Sequence, residues 1–189
     1  MTAYYGITGT PGTGKKTLAP QVASRLRVPC HSLNDLARSY HLSRRSGPAE
    51  VDAPELGRRI SAEVEAPCLL YGHLLPYAFG RGAFSRVVVL RCDPGVLGAR
   101  LVGRGYGTEK VQQNLEAELI GLISADSVAA FGWDRVAEVD TTKLPVSAAV
   151  AAVTRRLSSP GGPRAVDWVR SYGSADRLRS LLGPKTFSA

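Results

Sequence analysis

An α/β fold built on a five-stranded parallel sheet, with helices on both faces, is predicted by three observations. Five short apolar runs alternate with segments whose apolar residues recur at helical spacing. One run, Arg86 to Cys92 (RVVVLRC), is nearly continuous in β-branched residues, which suits a strand buried on both faces of a parallel sheet. The first run is followed at once by GTPGTGKKT, Gly9 to Thr17, a glycine loop that opens into a helix.

The first strand is Tyr4 to Thr8, and Leu18, Val22 and Leu26 give the segment Gly14 to Leu26 its helical period. Polyphosphate is held by such a join, because glycines let backbone N–H groups turn inward while the helix N-terminus adds unpaired donors and partial positive charge. Gly9, Gly14 and Lys15 fit the G-x-x-x-x-G-K core of the P-loop, and Lys15 can reach the β- and γ-phosphates. The dinucleotide pattern G-x-G-x-x-G fails, since Gly12 and Gly14 are followed by Thr17, so a nucleoside triphosphate is expected in preference to NAD. Where a Ser or Thr usually follows the lysine to contact Mg²⁺ stands Lys16. Thr17, one place on, falls in the first helical turn and can donate to a phosphate.

The remaining elements follow in order. Val28 to Ser32 reads as a brief second strand, and LNDLARSY as a helix capped by Asn34 or Asp35, with Asp35 and Arg38 on one face. That pair alone is also what a solvated surface looks like. His41 to Asp52, with Arg44, Arg45, Gly47 and Pro48, reads as a loop, and Ala53 to Glu65 as a helix with Leu56, Ile60 and Val64 on one side. A buried strand, Pro67 to Tyr71, runs into a polar turn at Gly72 and His73; strand C-termini face the ligand crevice in open α/β sheets, which brings His73 near the phosphates.

After the strand Arg86 to Cys92, Asp93 and Pro94 begin a helix, Val96 to Val102. It ends in GRGYGTEK, where Arg104 among three glycines reads as a lid cation that closes on transferring phosphates, or as a solvated arginine beside a helix cap. Thr108 to Ala130 is expected as one long helix with Val111, Leu115, Leu119 and Leu122 buried. Arg135 to Val139 is the fifth strand, and Val146 to Leu157 an alanine-rich helix covering the sheet. Ser158 to Pro163 is a linker by composition; beyond it AVDWVRSY and SADRLRSLL read as two short helices docked through Ala165, Trp168, Val169, Leu178, Leu181 and Leu182.

Composition narrows the function classes. With 189 residues, 44% hydrophobic and 21% charged, the chain has the balance of a soluble globular domain. No apolar run approaches a membrane span and no secretory pattern precedes the first strand, so a cytoplasmic monomer with no membrane partner is expected. Cys30, Cys68 and Cys92 lack metal or disulfide spacing and read as core residues. The net charge is +8, of which residues 155–189 carry +5. A basic tail suits an acidic partner such as nucleic acid and equally serves solubility.

Five strands alternating with helices, a P-loop after the first and an arginine-bearing loop after the fourth describe a nucleoside monophosphate kinase. The chain also resembles the adenylate kinase isoenzyme 6 family of archaea and eukaryotes. The resemblance rests on GTPGTGKKT, on LNDLAR beside the family's G-D-L-A-R, on YGH beside its acidic-x-H turn, and on VVVLRCDPGVLGARLVGRGY followed by QQNLEAEL, in family order over residues 4 to about 157. It implies adenylate kinase and ATPase activity and a part in maturation of the small ribosomal subunit, with a ribosomal protein and precursor rRNA as partners. It further implies that Gly12, Thr13, Gly14, Lys15, Lys16 and Thr17 hold ATP, with Arg104 and Arg100 as lid cations. Arg38 would meet the phosphate of AMP. Asp35 and Thr17 would act on Mg²⁺ through water, and His73 in hydrolysis. Asp140 to Leu144 would cradle adenine. The expected divisions are a kinase domain over 1–157, with an AMP-binding part at about 33–65 and a lid at about 103–110, then a linker at 158–163 and a basic helical extension at 164–189.

Two positions depart from the family. Tyr71 stands where it places the acid that steers magnesium, and Lys16 where a hydroxyl would contact the ion, a hydroxyl that adenylate kinases in general do without, so the weightier departure is Tyr71. Asp35 and Asp93 are the acids available to substitute. Two functions follow: phosphoryl transfer from ATP to AMP with accompanying ATPase activity, or a nucleotide-gated ribosome assembly factor with weak catalysis. A kinase of another small alcohol is a third, disfavoured by LNDLAR.

Overall fold

The computed structural model describes residues 3–42, 51–159 and 166–182. β1 (Tyr4–Thr8) turns through the glycine loop into α1 (Lys15–Leu26), and β2 (Cys30–Ser32), α2 (Leu33–Ser39), α3 (Ala53–Glu63), β3 (Leu69–Tyr71) and the short α4 (Leu75–Ala78) follow. Next come β4 (Phe84–Arg91), α5 (Pro94–Val102), α6 (Thr108–Leu119), α7 (Leu122–Phe131), a 3-10 turn (Trp133–Arg135), β5 (Val136–Asp140) and α8 (Val146–Ser158). Two C-terminal helices, α9 (Trp168–Tyr172) and α10 (Ala175–Leu182), close the described chain.

The five strands form one parallel sheet in the order β2-β3-β1-β4-β5. β1 is central, so the loop that leaves it opens at the switch point where successive connections run to opposite sides, the usual ligand crevice of such sheets. Period-two alternation assigns side chains to the two faces. Ile7, Leu69, Val88, Leu90 and Val139 pack with Leu18 and Val22 of α1 and Ala149, Val150, Val153 and Leu157 of α8. Leu70, Val87, Val89 and Val136 pack instead with Leu33, Leu56, Ile60, Leu75 and Phe131 from α2, α3, α4 and α7. At about 1.5–3 kcal/mol for each buried Val, Leu, Ile or Phe, these two faces hold the sheet. α5 and α6 pack on each other through Leu97, Leu101, Val111 and Leu115.

Several expectations need correction. The cap of α2 is Ser32, whose Oγ accepts from Asp35 N at 3.3 Å; β2 runs straight into the helix, leaving Asn34 and Asp35 inside its first turn. The segment Thr108 to Ala130 is two helices, because the chain turns at Gly121 with φ 67°, a conformation open to glycine at little cost. Leu122 is consequently exposed rather than on the stripe, and α7 is re-aimed so that Ile123, Ser127 and Phe131 are buried. α4 was not foreseen; its four residues are too few for a period. Of the cysteines, Cys68 and Cys92 are buried but Cys30 is partly exposed. Trp168 and Leu181 dock against Leu119 as expected, whereas Val169 is exposed. Most of the loop His41 to Asp52, with Arg44 and Arg45, and the linker residues beyond Ser159, with Ala165, lie outside the described residues.

Candidate active site

Gly9, Gly12 and Gly14 take φ of 135°, 95° and 104°, which side chains with a Cβ rarely adopt. A Cβ on Gly9 would lie 2.4 Å from Leu90 O. This turn starts α1 at Lys15 with no side-chain cap, and a helix N-terminus of that kind offers unpaired N–H donors and partial positive charge to an anion. Thr13 Oγ1 donates to Thr10 O at 2.9 Å, and Thr141 Oγ1, from the loop after β5, donates to Thr13 O at 3.0 Å. Lys15 Nζ donates to Gly9 O at 2.5 Å and Thr10 O at 3.0 Å, folded back over the loop.

Three cavities adjoin this loop. One of about 170 Å³ is lined by Gly12, Gly14, Thr17, Arg100, Arg104 and Leu144, together with Thr141 and Val146. The second, about 260 Å³, shares Gly12, Gly14, Thr17 and Arg104 and adds Lys15, Lys16, Asn34, His73 and Tyr106. The third, about 180 Å³, shares Lys15, Lys16, Asn34 and His73 and adds Asp35, Arg38 and Tyr71. The shared walls make one crevice running from the β5 loop, over the P-loop, to α2. It therefore gathers Gly12, Thr13, Gly14, Lys15, Lys16, Thr17, Asp35, Arg38, His73, Arg100 and Arg104. Leu144 reaches it from the Asp140 to Leu144 loop, whereas Asp93 caps α5 and lines none of the three cavities.

Electrostatically the crevice suits an anion. Lys15, Lys16, Arg38, Arg100 and Arg104 line it, and Asp35, its one carboxylate among the described residues, is ion-paired with Arg38. Burial brings the Lys15 ammonium down to about 7; Glu118 opposes that fall and Arg104 assists it. Burial, with Lys15 and Lys110 nearby, brings His73 down to about 4, so its imidazole is neutral at pH 7. The sign follows directly: below pH 6.5 the unfolded chain takes up a proton that folded His73 refuses until about 4. Stability is accordingly expected to fall by about 1–3 kcal/mol as pH drops through that window. His73→Asn should remove this part of the acid sensitivity, read by denaturant unfolding at pH 7 and pH 4.5.

Sequence reasoning missed a buried network behind the P-loop. Thr10 Oγ1 donates to Glu118 Oε2 at 2.5 Å. Glu118 Oε1 accepts from Arg91 Nε at 2.8 Å and from Cys92 N and Trp168 Nε1, each at 3.1 Å. Arg91 Nη1 donates to Glu138 Oε1 at 2.7 Å and Val166 O at 3.1 Å. The sequence did carry a signal: Glu118 stands beside Leu119 on the apolar stripe of α6, where a carboxylate requires a buried partner.

A glycine loop joining a central parallel strand to a helix, in a cationic crevice at the strand ends, defines a P-loop NTPase with the nucleoside monophosphate kinase-like sheet. A family model described as an AAA domain matches residues 6–121. A protein of Thermococcus onnurineus named "Putative adenylate kinase" is 33% identical over 170 residues, 88% of this chain and 91% of that one. A protein of Natronomonas pharaonis with the same name is 36% identical over 163 residues, 83% and 91% of the two chains. The chain belongs to the adenylate kinase-like family that these archaeal proteins represent. Among solved structures, a gluconokinase from Sinorhizobium meliloti matches with TM-score 0.57 at 18% identity, over 83% of this chain and 92% of that one. A shikimate kinase from Bacteroides thetaiotaomicron matches with TM-score 0.52 at 18% identity, over 83% and 96%. Both likenesses concern the fold.

The fold implies Mg²⁺, and the residues present fit it poorly. Thr17 offers a hydroxyl and Asp35 one exposed carboxylate paired with Arg38, but Lys16 and Tyr71 occupy the positions of the hydroxyl and acid that usually meet the ion. Among the described residues no group of three His, Cys, Asp or Glu side chains is placed to hold a metal. No described helix is long and apolar enough to cross a membrane.

Proposed function

We propose that the protein is an adenylate kinase-type phosphotransferase, taking ATP as donor and AMP as acceptor, with slow ATP hydrolysis as a side reaction. The observation that carries this reading is the single crevice with cation-lined ends that meet at Lys15 and His73. Adenine and ribose would lie toward Thr141, Leu144 and Val146. Gly12, Thr13, Gly14, Lys15 and Thr17 would hold the triphosphate, and Arg100 and Arg104 would cover it as the lid over about 103–110. Asp35 and Arg38, in the AMP-binding part that begins at α2, would place the acceptor phosphate.

The chemistry needs little more than positioning and charge. An anionic oxygen of the acceptor phosphate attacks the γ-phosphorus as its bond to the β-bridging oxygen breaks, giving two ADP with no proton to remove. Lys15, Arg100 and Arg104 balance the charge that spreads over the transferring oxygens. When a water takes the acceptor's place, His73 can orient it, but a base near 4 withdraws a proton poorly at pH 7, which keeps hydrolysis slow.

The test is ADP formation from ATP with and without AMP. AMP should accelerate it, and Arg38→Ala should raise the KM for AMP by about tenfold to a hundredfold, the worth of one charge-assisted hydrogen bond, while sparing the KM for ATP. An unchanged AMP dependence would remove Arg38 from the scheme. Tight ATP binding without ADP formation would instead favour a nucleotide-gated assembly factor acting on a small-subunit ribosomal protein or precursor rRNA. The feature favouring that second reading is the contact between the basic α9–α10 segment, where Arg170, Arg177 and Arg179 are exposed, and the network behind the P-loop.

A further inference from the structure

Magnesium in P-loop proteins is held by a hydroxyl on the residue after the P-loop lysine and by a carboxylate at the end of a neighbouring strand. The register Ile7↔Tyr71 sets β3 beside β1 so that its last residue, Tyr71, occupies the carboxylate's place. The hydroxyl's place belongs to Lys16. The carboxylates on and around the crevice each have a hydrogen-bond partner. Asp35 is paired with Arg38. Asp93 Oδ1 accepts from Val96 N at 3.1 Å and from Tyr172 OH at 3.2 Å. Asp140 takes Thr142 N at 2.9 Å, and Glu118 is saturated by Arg91, Cys92, Trp168 and Thr10. Mg²⁺ demands near-octahedral oxygen ligation and is usually anchored by one or two carboxylates. Among the described residues Asp35 alone lines the crevice, exposed and paired with Arg38 through one oxygen, and no second carboxylate stands beside it.

What the crevice offers instead is a second fixed cation. Lys16 lines both the middle cavity and the α2 cavity, on the same walls as Lys15 and His73. It is exposed on the first turn of α1, and among the described residues its ammonium is paired with no carboxylate. Its charge repels a divalent ion held at the same phosphates and attracts the same phosphates bare. We propose that Lys16 takes the electrostatic place of magnesium, so that the site binds metal-free ATP at least as tightly as the Mg²⁺ complex. This rests on the ATP-binding reading above and adds the form of the nucleotide that the site selects.

The experiment is competition by ATP against a fluorescent ATP analogue, in EDTA and in excess Mg²⁺. In the parent protein, ATP in EDTA should bind as tightly as Mg-ATP or more so. Lys16→Thr should weaken metal-free ATP by about tenfold, roughly one charge-assisted contact, and leave Mg-ATP within about threefold. Lys16→Gln, which keeps the length of the side chain without its charge, should behave alike, and circular dichroism would verify that both fold. A parent protein preferring Mg-ATP by about tenfold would overturn the inference while leaving ATP binding intact. So would variants in which both nucleotide forms weaken equally. If neither form displaces the analogue from the parent, the ATP-binding reading falls and this inference with it.

Discussion

Lys15→Ala is expected to lower kcat/KM for ADP formation by about 10³-fold or more, some 4 kcal/mol of lost transition-state stabilisation. The reason lies in where the ammonium is kept. Lys15 Nζ rests on Gly9 O and Thr10 O, inside the glycine loop and at the shared wall of the two cavities that would receive donor and acceptor phosphates. No other described cation lies so deep in the loop: Lys16 is exposed, and Arg100 and Arg104 approach from α5 and its following turn. Burial brings the Lys15 ammonium down to about 7, so at pH 8 much of it is neutral in the empty protein. Polyphosphate favours the charged form. ATP binding should therefore draw in a proton, and affinity should weaken as pH rises above 7. Calorimetry at pH 8 in two buffers of different ionisation enthalpy measures the uptake. Lys15→Arg, always charged, should abolish it. Binding with no proton uptake in the parent protein would mean that the ammonium is already charged in the empty site.

The parts of this molecule legible in the sequence are those whose cause is local. GTPGTGKKT announces its turn because glycine alone tolerates the φ values at Gly9, Gly12 and Gly14. RVVVLRC announces a doubly buried strand, and β4 is central to the core. Order along the chain then carried the sheet, because crossover helices force parallel neighbours. The helix break at Gly121 was missed for a physical reason: apolar periodicity persists across it, and an isolated glycine inside a helical pattern is tolerated often enough to give no warning. Ser32 was passed over as a cap because it reads as the end of β2, which it also is.

Site residues divide in the same way. Lys15 was identified by its neighbours in sequence, whereas Asp35, Arg38 and His73 needed a resemblance to give them meaning, since a surface ion pair and a lone histidine carry no chemistry of their own. The crevice brings them together through α2 and the end of β3. Thr10, Arg91, Glu118 and Glu138 escaped because their function is set by contacts across 27 to 108 positions of chain. The bend at Gly121 lies beside this network: a Cβ there would come 3.4 Å from Arg91 Nη1.

Glu118→Ala is accordingly expected to cost about 3–5 kcal/mol, the range for breaking a buried ion pair by removing one partner. It would leave Arg91 with Glu138 as its one carboxylate partner among the described residues and would strip Thr10 Oγ1, Cys92 N and Trp168 Nε1 of their acceptor. For a chain of this length that loss corresponds to about 10 °C in Tm, measurable by calorimetry. A purely structural role would lower Tm without touching the nucleotide site. The geometry here says otherwise, because Thr10 O accepts from both Lys15 Nζ and Thr13 Oγ1 while Thr10 Oγ1 is anchored on Glu118. Glu118→Gln, which keeps the side-chain shape but not its charge, should lose less stability yet still weaken ATP binding. Trp168→Phe should remove the indole donor alone and lower Tm by about 1 kcal/mol equivalent, a few degrees, with ATP affinity nearly intact. If Glu118→Ala unfolds within about 2 °C of the parent, the buried network contributes little and the P-loop must be held by its own turn.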